Sequence, residues 1–186
     1  MADFPELKKA LESAHTIELV QPGSAKYKFQ AFAFGERGTK ITAELLKEIT
    51  DGLCGSIRSN FPDFDYIVSP VPGGHTWGSL TALRLGKPIN ILRTEPSYDK
   101  GETEIPRKTG YYQHNLYFNH FEKGDRVLII DDVVSTGGTL RTILEALRDL
   151  EVTAIGAQLI YAKTSDYKQI ESDYSLPVRF LLENTD

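Results

Sequence analysis

A single cysteine, Cys54, occurs in the 186 residues. One thiol excludes an internal disulfide and suits a reducing compartment. Cys54 falls within a helical apolar pattern, where a thiol serves as core filler rather than as a nucleophile. No apolar run approaches the roughly 18 residues that a membrane-spanning helix needs, and no secretory leader pattern opens the sequence. A cytoplasmic protein with no membrane partner is therefore expected. Positive charge is also in short supply. The net charge of −5 argues against a generic nucleic-acid binder, and no basic stripe or helix-turn-helix segment is visible. Neither Gly-x-x-x-x-Gly-Lys nor Gly-x-Gly-x-x-Gly occurs, which removes P-loop kinases and dinucleotide enzymes. Internal repeats and low-complexity segments are missing as well.

What is present is a run of strand and helix patterns in alternation. Residues 3–14 suit a short helix capped by Asp3, with Pro5 in its first turn. Residues 16–20 and 26–32 suit two strands around a Gln-Pro-Gly-Ser turn. A long helix over 42–59 is capped by Thr42, and Gly52 and Gly55 weaken its middle. Strands are predicted at 65–69, 87–92, 127–130, 154–162 and 178–182, and a returning strand at 114–118. Helices are predicted at 76–85, closed by Gly86, from about Thr139 to Asp149, and near 166–172. The polar segment 93–112, punctuated by Pro96, Gly101, Pro106 and Gly110, is a structureless lid loop in this reading. The fold class is α/β: a doubly wound, mostly parallel five-stranded sheet with helices on both faces, a small N-terminal hood and a flexible loop. The hood spans 1–40, joined by part of the C-terminus, and the core spans 41–186. The chain is long enough to bury roughly 70% of its unfolded surface without a staple.

Chemistry concentrates in Arg126-Val-Leu-Ile-Ile-Asp-Asp-Val-Val-Ser-Thr-Gly-Gly-Thr139. The apolar run Val127–Ile130 suits a strand buried on both faces. Gly137 and Gly138 let successive N–H groups converge, and the following helix aims its positive end at the same spot. This makes an anion cradle. Asp131 and Asp132 at its rim would repel a phosphate, so they suit sugar hydroxyls or a metal ion beside it. A phosphorylated sugar is the predicted ligand. Ligands of such sheets bind outside the strand carboxyl ends. Segments 70–75, 93–112 and 131–138 leave such ends and approach one site from three directions.

Val127–Thr139 resembles the phosphoribosyl-diphosphate (PRPP) binding motif of type I phosphoribosyltransferases, and the order of elements agrees over roughly residues 60–165. That resemblance implies transfer of ribose 5-phosphate from PRPP to a nitrogenous base, with pyrophosphate released and Mg²⁺ present. It places the 5-phosphate on Ser135, Thr136, Gly137, Gly138 and Thr139, and the ribose hydroxyls on Asp131 and Asp132. Mg²⁺ would be held mainly through PRPP, with both aspartates nearby and no ligand set of its own. Breaking the ribose–pyrophosphate bond develops positive charge on the sugar, which a carboxylate stabilises, while cations and Mg²⁺ stabilise the leaving group. The pyrophosphate side falls to Pro72, Gly73 and Gly74, and to Arg93, Lys100, Arg107 and Lys108. Arg93 stands first among these because it directly follows a strand. Base contacts would come from Phe32, Phe34 and Val133, with Phe29 a further candidate and core packing the expected fate of at least two of the phenylalanines.

Two departures separate this chain from adenine-type members. Their pyrophosphate loop carries an acid-Ser-Arg-Gly run; here Val71-Pro72-Gly73-Gly74 lacks the arginine. A Val71–Pro72 cis bond is expected there. His75 is divided between a pyrophosphate contact and a surface position, and Trp77 suits the core. The glutamate that follows the lid in those members has no counterpart in Thr109-Gly-Tyr-Tyr-Gln113. The Thr-Gly-Tyr run and the hood hairpin resemble instead an archaeal branch of adenine- or hypoxanthine-type enzymes. The expectation is a purine salvage transferase, adenine first, acting as a homodimer. The alternatives are a hypoxanthine/guanine or orotate enzyme, and a non-catalytic PRPP-sensing regulator, which both departures favour. Orotate would want an added cation, for which only Lys26 and Lys28 offer themselves.

Overall fold

The computed structural model describes residues 3–19, 27–35, 40–108 and 113–184, the side chains at 19, 27, 28, 106–108, 113 and 114 excepted. In chain order the elements are α1 (Pro5–Glu12), β1 (His15–Leu19), β2 (Tyr27–Ala31), α2 (Ala43–Asn60), β3 (Tyr66–Pro70) and α3 (Gly74–Leu85). Then follow β4 (Ile89–Leu92), β5 (Thr103–Lys108), β6 (Gln113–Phe118), β7 (Arg126–Val134), α4 (Gly138–Asp149), β8 (Thr153–Ala162), α5 (Tyr167–Tyr174) and β9 (Val178–Glu183).

Five strands form one parallel sheet in the order β4-β3-β7-β8-β9, as the alternating pattern predicts. Strand β7 lies at its centre and explains its own unbroken apolar run. Val127 and Ile129 enter the core on one face, with Ile143, Leu144 and Leu147 of α4. Leu128 and Ile130 enter the core on the other face, with Ile49 and Leu53 of α2 and Trp77 of α3. Neither face leaves room for a polar residue, so the period-2 alternation of a half-exposed strand is absent. Both cores are covered by helices, which makes the sheet doubly wound.

The ends of the helices follow local chemistry where it is available. Thr42 Oγ1 accepts from Leu45 N (3.2 Å) and caps α2. Gly86 adopts the left-handed conformation (φ 66°) that closes α3. Helix α1 corrects the expectation for Asp3, whose carboxylate pairs with Lys8 instead (2.7 Å). Its N-cap position is Phe4, which offers no side-chain oxygen. The first-turn N–H groups of Glu6 and Leu7 donate to Glu48 of α2, at 3.2 and 2.8 Å. A carboxylate from a packed neighbour does the work of a local cap.

The hood strands β1 and β2 pair antiparallel, with Ile17 opposite Phe29. The predicted turn at 21–24, and Lys26, lie outside the described residues.

Segment 93–112 differs most from its prediction. It is not one structureless loop, because residues 103–108 form β5 and pair antiparallel with β6. Leu116 and Phe118 of β6 are sealed in the α4-side core at 0% and 1% exposure. A bridge between Arg93 and Tyr117 ties this ribbon to the end of β4. Strand β5 hides in the sequence because Pro106 argues against a strand interior. A proline is tolerated in a ribbon whose outer edge is unpaired.

Candidate active site

Strand β7 carries Asp131 and Asp132 to the carboxyl edge of the sheet. The chain then bends at Ser135 and Thr136, and Gly137 (φ 75°, ψ 11°) turns it into α4. No side chain caps α4 at this end. That end of α4 presents the positive pole of the helix dipole, a setting that suits an anion. Ser135 and Thr139 are half-buried and Thr136 is exposed at this turn.

Both carboxylates are set by their own backbone. Asp132 N donates to Asp131 Oδ1 (2.9 Å), and Val133 N donates to Asp132 Oδ1 (2.8 Å). Asp132 is 9% exposed. The opposite wall is the loop Val71-Pro72-Gly73-Gly74, in which the Val71–Pro72 bond is cis, as expected. A Cβ on Gly73 would lie 2.3 Å from Asp132 Oδ2, and one on Gly74 would lie 2.8 Å from Asp131 Oδ1. No real side chain tolerates such contacts, so only glycine lets this loop close over the carboxylates. The hood arrives from a third side: a Cβ on Gly35 would lie 3.4 Å from Asp132 Oδ2. The two sequence-predicted loops and the hood thus meet at one carboxylate.

The same loop is pinned at several points. Val71 N donates to Leu92 O (2.9 Å) at the end of β4. Half-buried His75 lies with Nδ1 2.8 Å from Pro72 O. A carbonyl only accepts, so Nδ1 carries the proton. Buried Ser69 donates to Ile130 O (2.6 Å) and locks the end of β3 to the residue before Asp131. Trp77, fully buried as expected, donates from Nε1 to Phe34 O (2.8 Å) and fastens the hood to α3.

Arg93 follows β4, as the sequence indicates, but it is already engaged. Its guanidinium donates to Glu102 Oε1 (2.5 Å), Asn119 Oδ1 (3.1 Å) and Glu95 O (3.3 Å). Glu102 also accepts from Ser97 N and Oγ and from Tyr98 N. Burial alone would raise the Glu102 carboxyl, yet these donors outweigh it and lower its pKa to about 2. Lys100 is exposed in the adjoining turn, its backbone N–H donating to Asp99 (2.8 Å). Arg107 and Lys108 sit at the end of β5 opposite His114 and Gln113. The run Thr109-Gly-Tyr-Tyr112 lies outside the described residues.

The base-side residues divide. Phe34 is 1% exposed and stacks on Phe32, centroids 5.2 Å apart. Phe34 takes the core-packing fate: its ring is sealed in the core, and its backbone carbonyl accepts from Trp77. Phe32, 7% exposed, stands edge-on to Tyr161 at 5.6 Å. Val133 pairs in register with Tyr161, so both lie at the carboxyl edge beside Asp132. Tyr161 stands beside the candidate site without having been legible in the sequence, because it falls near the end of an ordinary strand pattern and carries no motif.

A central parallel strand that brings two adjacent carboxylates to the sheet edge and runs on into the start of a helix has the chemistry to suit a phosphorylated sugar. The comparisons name the family. Residues 39–179 match the Phosphoribosyl transferase domain, so the chain belongs to the phosphoribosyltransferase family and is a transferase. It is 32% identical over 167 residues to the hypoxanthine/guanine phosphoribosyltransferase of Methanohalophilus mahii, covering 90% of this chain and 84% of that one. To the enzyme of the same name from Methanothermobacter thermautotrophicus it is 34% identical over 146 residues, covering 78% of this chain and 73% of that one. Among solved structures, adenine phosphoribosyltransferase from Thermoanaerobacter pseudethanolicus superposes with a TM-score of 0.74 at 18% identity, covering 98% of this chain and 100% of that one. At that identity the likeness establishes the fold alone.

Proposed function

We propose that this protein is a purine phosphoribosyltransferase that transfers ribose 5-phosphate from PRPP to a purine, with hypoxanthine and guanine ahead of adenine. The observation that carries the reading is the closure of Gly73 and Gly74 over Asp131 and Asp132 beside an uncapped helix N-terminus. One surface thereby offers N–H donors for a phosphate and carboxylates for a ribose. The C1–oxygen bond to pyrophosphate breaks as a ring nitrogen of the purine bonds to C1. The bonding pair leaves on pyrophosphate, and the proton on the attacking nitrogen goes to solvent or a nearby base.

Each residue has a role in this reading. Ser135, Thr136, Gly137, Gly138 and Thr139 hold the 5-phosphate through hydroxyls and backbone N–H groups. Asp131 and Asp132 accept from ribose hydroxyls and stabilise the positive charge that develops on the sugar. Pro72, Gly73 and Gly74 bring backbone close to pyrophosphate, and Arg93, Lys100, Arg107 and Lys108 supply positive charge. The base sits against Val133, Tyr161 and the Phe32 edge. Among the described residues no cluster of three or more His, Cys, Asp or Glu side chains is placed to hold a metal ion. Two adjacent carboxylates suit Mg²⁺ that arrives on PRPP, where it offsets the charge of the leaving pyrophosphate. Pairing as a homodimer belongs to the same reading.

The order of bases moves away from the adenine-first expectation because relatives above 30% identity carry the hypoxanthine/guanine name. Incubation with PRPP, Mg²⁺ and each of adenine, hypoxanthine, guanine, xanthine and orotate tests it. Inosine or guanosine monophosphate with released pyrophosphate is the expected product. Tight PRPP binding with no product from any base would instead support a PRPP-sensing regulator.

A further inference from the structure

The phosphate cradle is braced from behind by residues outside its own motif. The chain leaves β8 at Ala162, and Lys163 N donates to Val134 O (2.8 Å), carrying the ladder one step beyond the last paired strand residues. Thr164 Oγ1 then donates to Ser135 O (2.7 Å) and receives Asp166 N (3.3 Å). With a partner on each side, the hydroxyl holds a single orientation. Ile170 of α5, 0% exposed, fills the reverse side of the turn: a Cβ on Gly137 would lie 2.3 Å from its Cδ1. Arg141 in the first turns of α4 pairs with Asp173 near the end of α5 (2.6 Å). Backbone, hydroxyl, apolar contact and ion pair all join the cradle to segment 163–173.

The Thr164 bond has a direct geometric consequence. Ser135 C=O and Thr136 N–H belong to one planar trans peptide and point in opposite directions. Holding the carbonyl on the Thr164 side turns the Thr136 N–H away from it, toward the exposed side of the turn. Without the hydroxyl this peptide can rotate, and the N–H groups at the turn no longer converge.

We propose that Thr164 and Ile170 are positioning residues of the cradle, which orient the Ser135–Gly137 backbone for a phosphate that neither touches. This rests on the reading of residues 135–139 as the 5-phosphate site. Phosphate binding is shared by ground state and transition state, so its loss appears in KM and leaves kcat in place.

The test compares Thr164→Val, Thr164→Ser and Ile170→Val with the wild type. Calorimetric PRPP binding in Mg²⁺, steady-state kinetics and thermal melting are measured for each. Thr164→Val removes both hydrogen bonds of the hydroxyl at constant shape, the one to Ser135 O among them, and the Kd and KM for PRPP are expected to rise about five- to tenfold. Its kcat stays within about twofold, and Thr164→Ser restores the wild-type values. A Thr164→Val protein that binds PRPP as the wild type does overturns the proposal. Should that variant fail to fold, Ile170→Val carries the test: a raised KM at unchanged kcat supports the inference, and an unchanged KM sinks it. Wild-type protein that binds no PRPP removes the phosphate-site reading itself. That result is distinct because no variant would then bind either.

Discussion

Gly73 and Asp132 stand so close that a single methyl group cannot be placed between them. A Cβ on Gly73 would fall 2.3 Å from Oδ2 and 2.5 Å from Cγ of Asp132. Asp132 cannot retreat without giving up the Val133 N–H that its other oxygen accepts. The loop Val71–Gly74 and the Asp132 carboxylate are therefore set by one contact.

Gly73→Ala is expected to fold and to lose activity. The added carbon displaces either the loop or the carboxylate by about 1 Å, and misplacement of that size costs about 100-fold in rate. Measurement of kcat/KM for PRPP beside the melting temperature checks it. Near-wild-type kcat/KM would show that the contact does not matter for transfer.

Asp131→Asn and Asp132→Asn keep the shape and an acceptor oxygen for the following backbone N–H but remove the charge. Each is expected to lower kcat about 100- to 1000-fold, the effect of withdrawing one preorganised electrostatic stabiliser. Unchanged turnover in both would place the chemistry elsewhere.

The Glu102 knot should be resistant to acid. Its carboxyl lies near pKa 2 in the folded chain, below the ordinary 4.5. A depressed acid contributes its stability above the unfolded pKa and loses it as pH falls through the folded one. The protection of the Ser97 and Tyr98 amides against hydrogen exchange should therefore persist at pH 5 and disappear only toward pH 2. Glu102→Ala, which leaves no acceptor oxygen, should remove it at every pH. Equal protection in wild type and variant would mean that the carboxylate does not order this loop.

Trp77→Phe deletes the donor to Phe34 O and leaves a buried carbonyl unpaired. A destabilisation of about 1–3 kcal/mol is expected, the usual cost of an unsatisfied buried group. Urea unfolding gives the number. The hood loop should also become more susceptible to proteolysis at 32–35, and an unaltered digestion pattern would show that the hood is held by other contacts.

Much of this architecture is legible without coordinates, and the reason is local. Val127–Ile130 reads as a doubly buried strand because both faces of β7 are covered. Thr42 and Gly86 announce helix ends because their chemistry acts on the adjoining turn. Where the partner is distant, reading fails. Asp3 was a reasonable cap until Glu48 of α2 supplied the acceptor instead. Pro106 disguised β5, whose strand character comes from pairing with β6. Which of the hood phenylalanines enters the core is likewise decided by packing: Phe34 is sealed beside Trp77 of α3.

The cradle shows the same division on a smaller scale. Sequence alone determined that two carboxylates and a glycine turn stand between the apolar run of β7 and the start of α4, because the strand, the turn glycines and the helix start are contiguous and their geometry follows from backbone sterics. Only the tertiary structure decided what surrounds them. Gly73 meets Asp132, Thr164 holds Ser135 and Ile170 backs Gly137 across long stretches of chain. Contacts of that kind depend on how the sheet brings its strand ends together, and no local propensity encodes them.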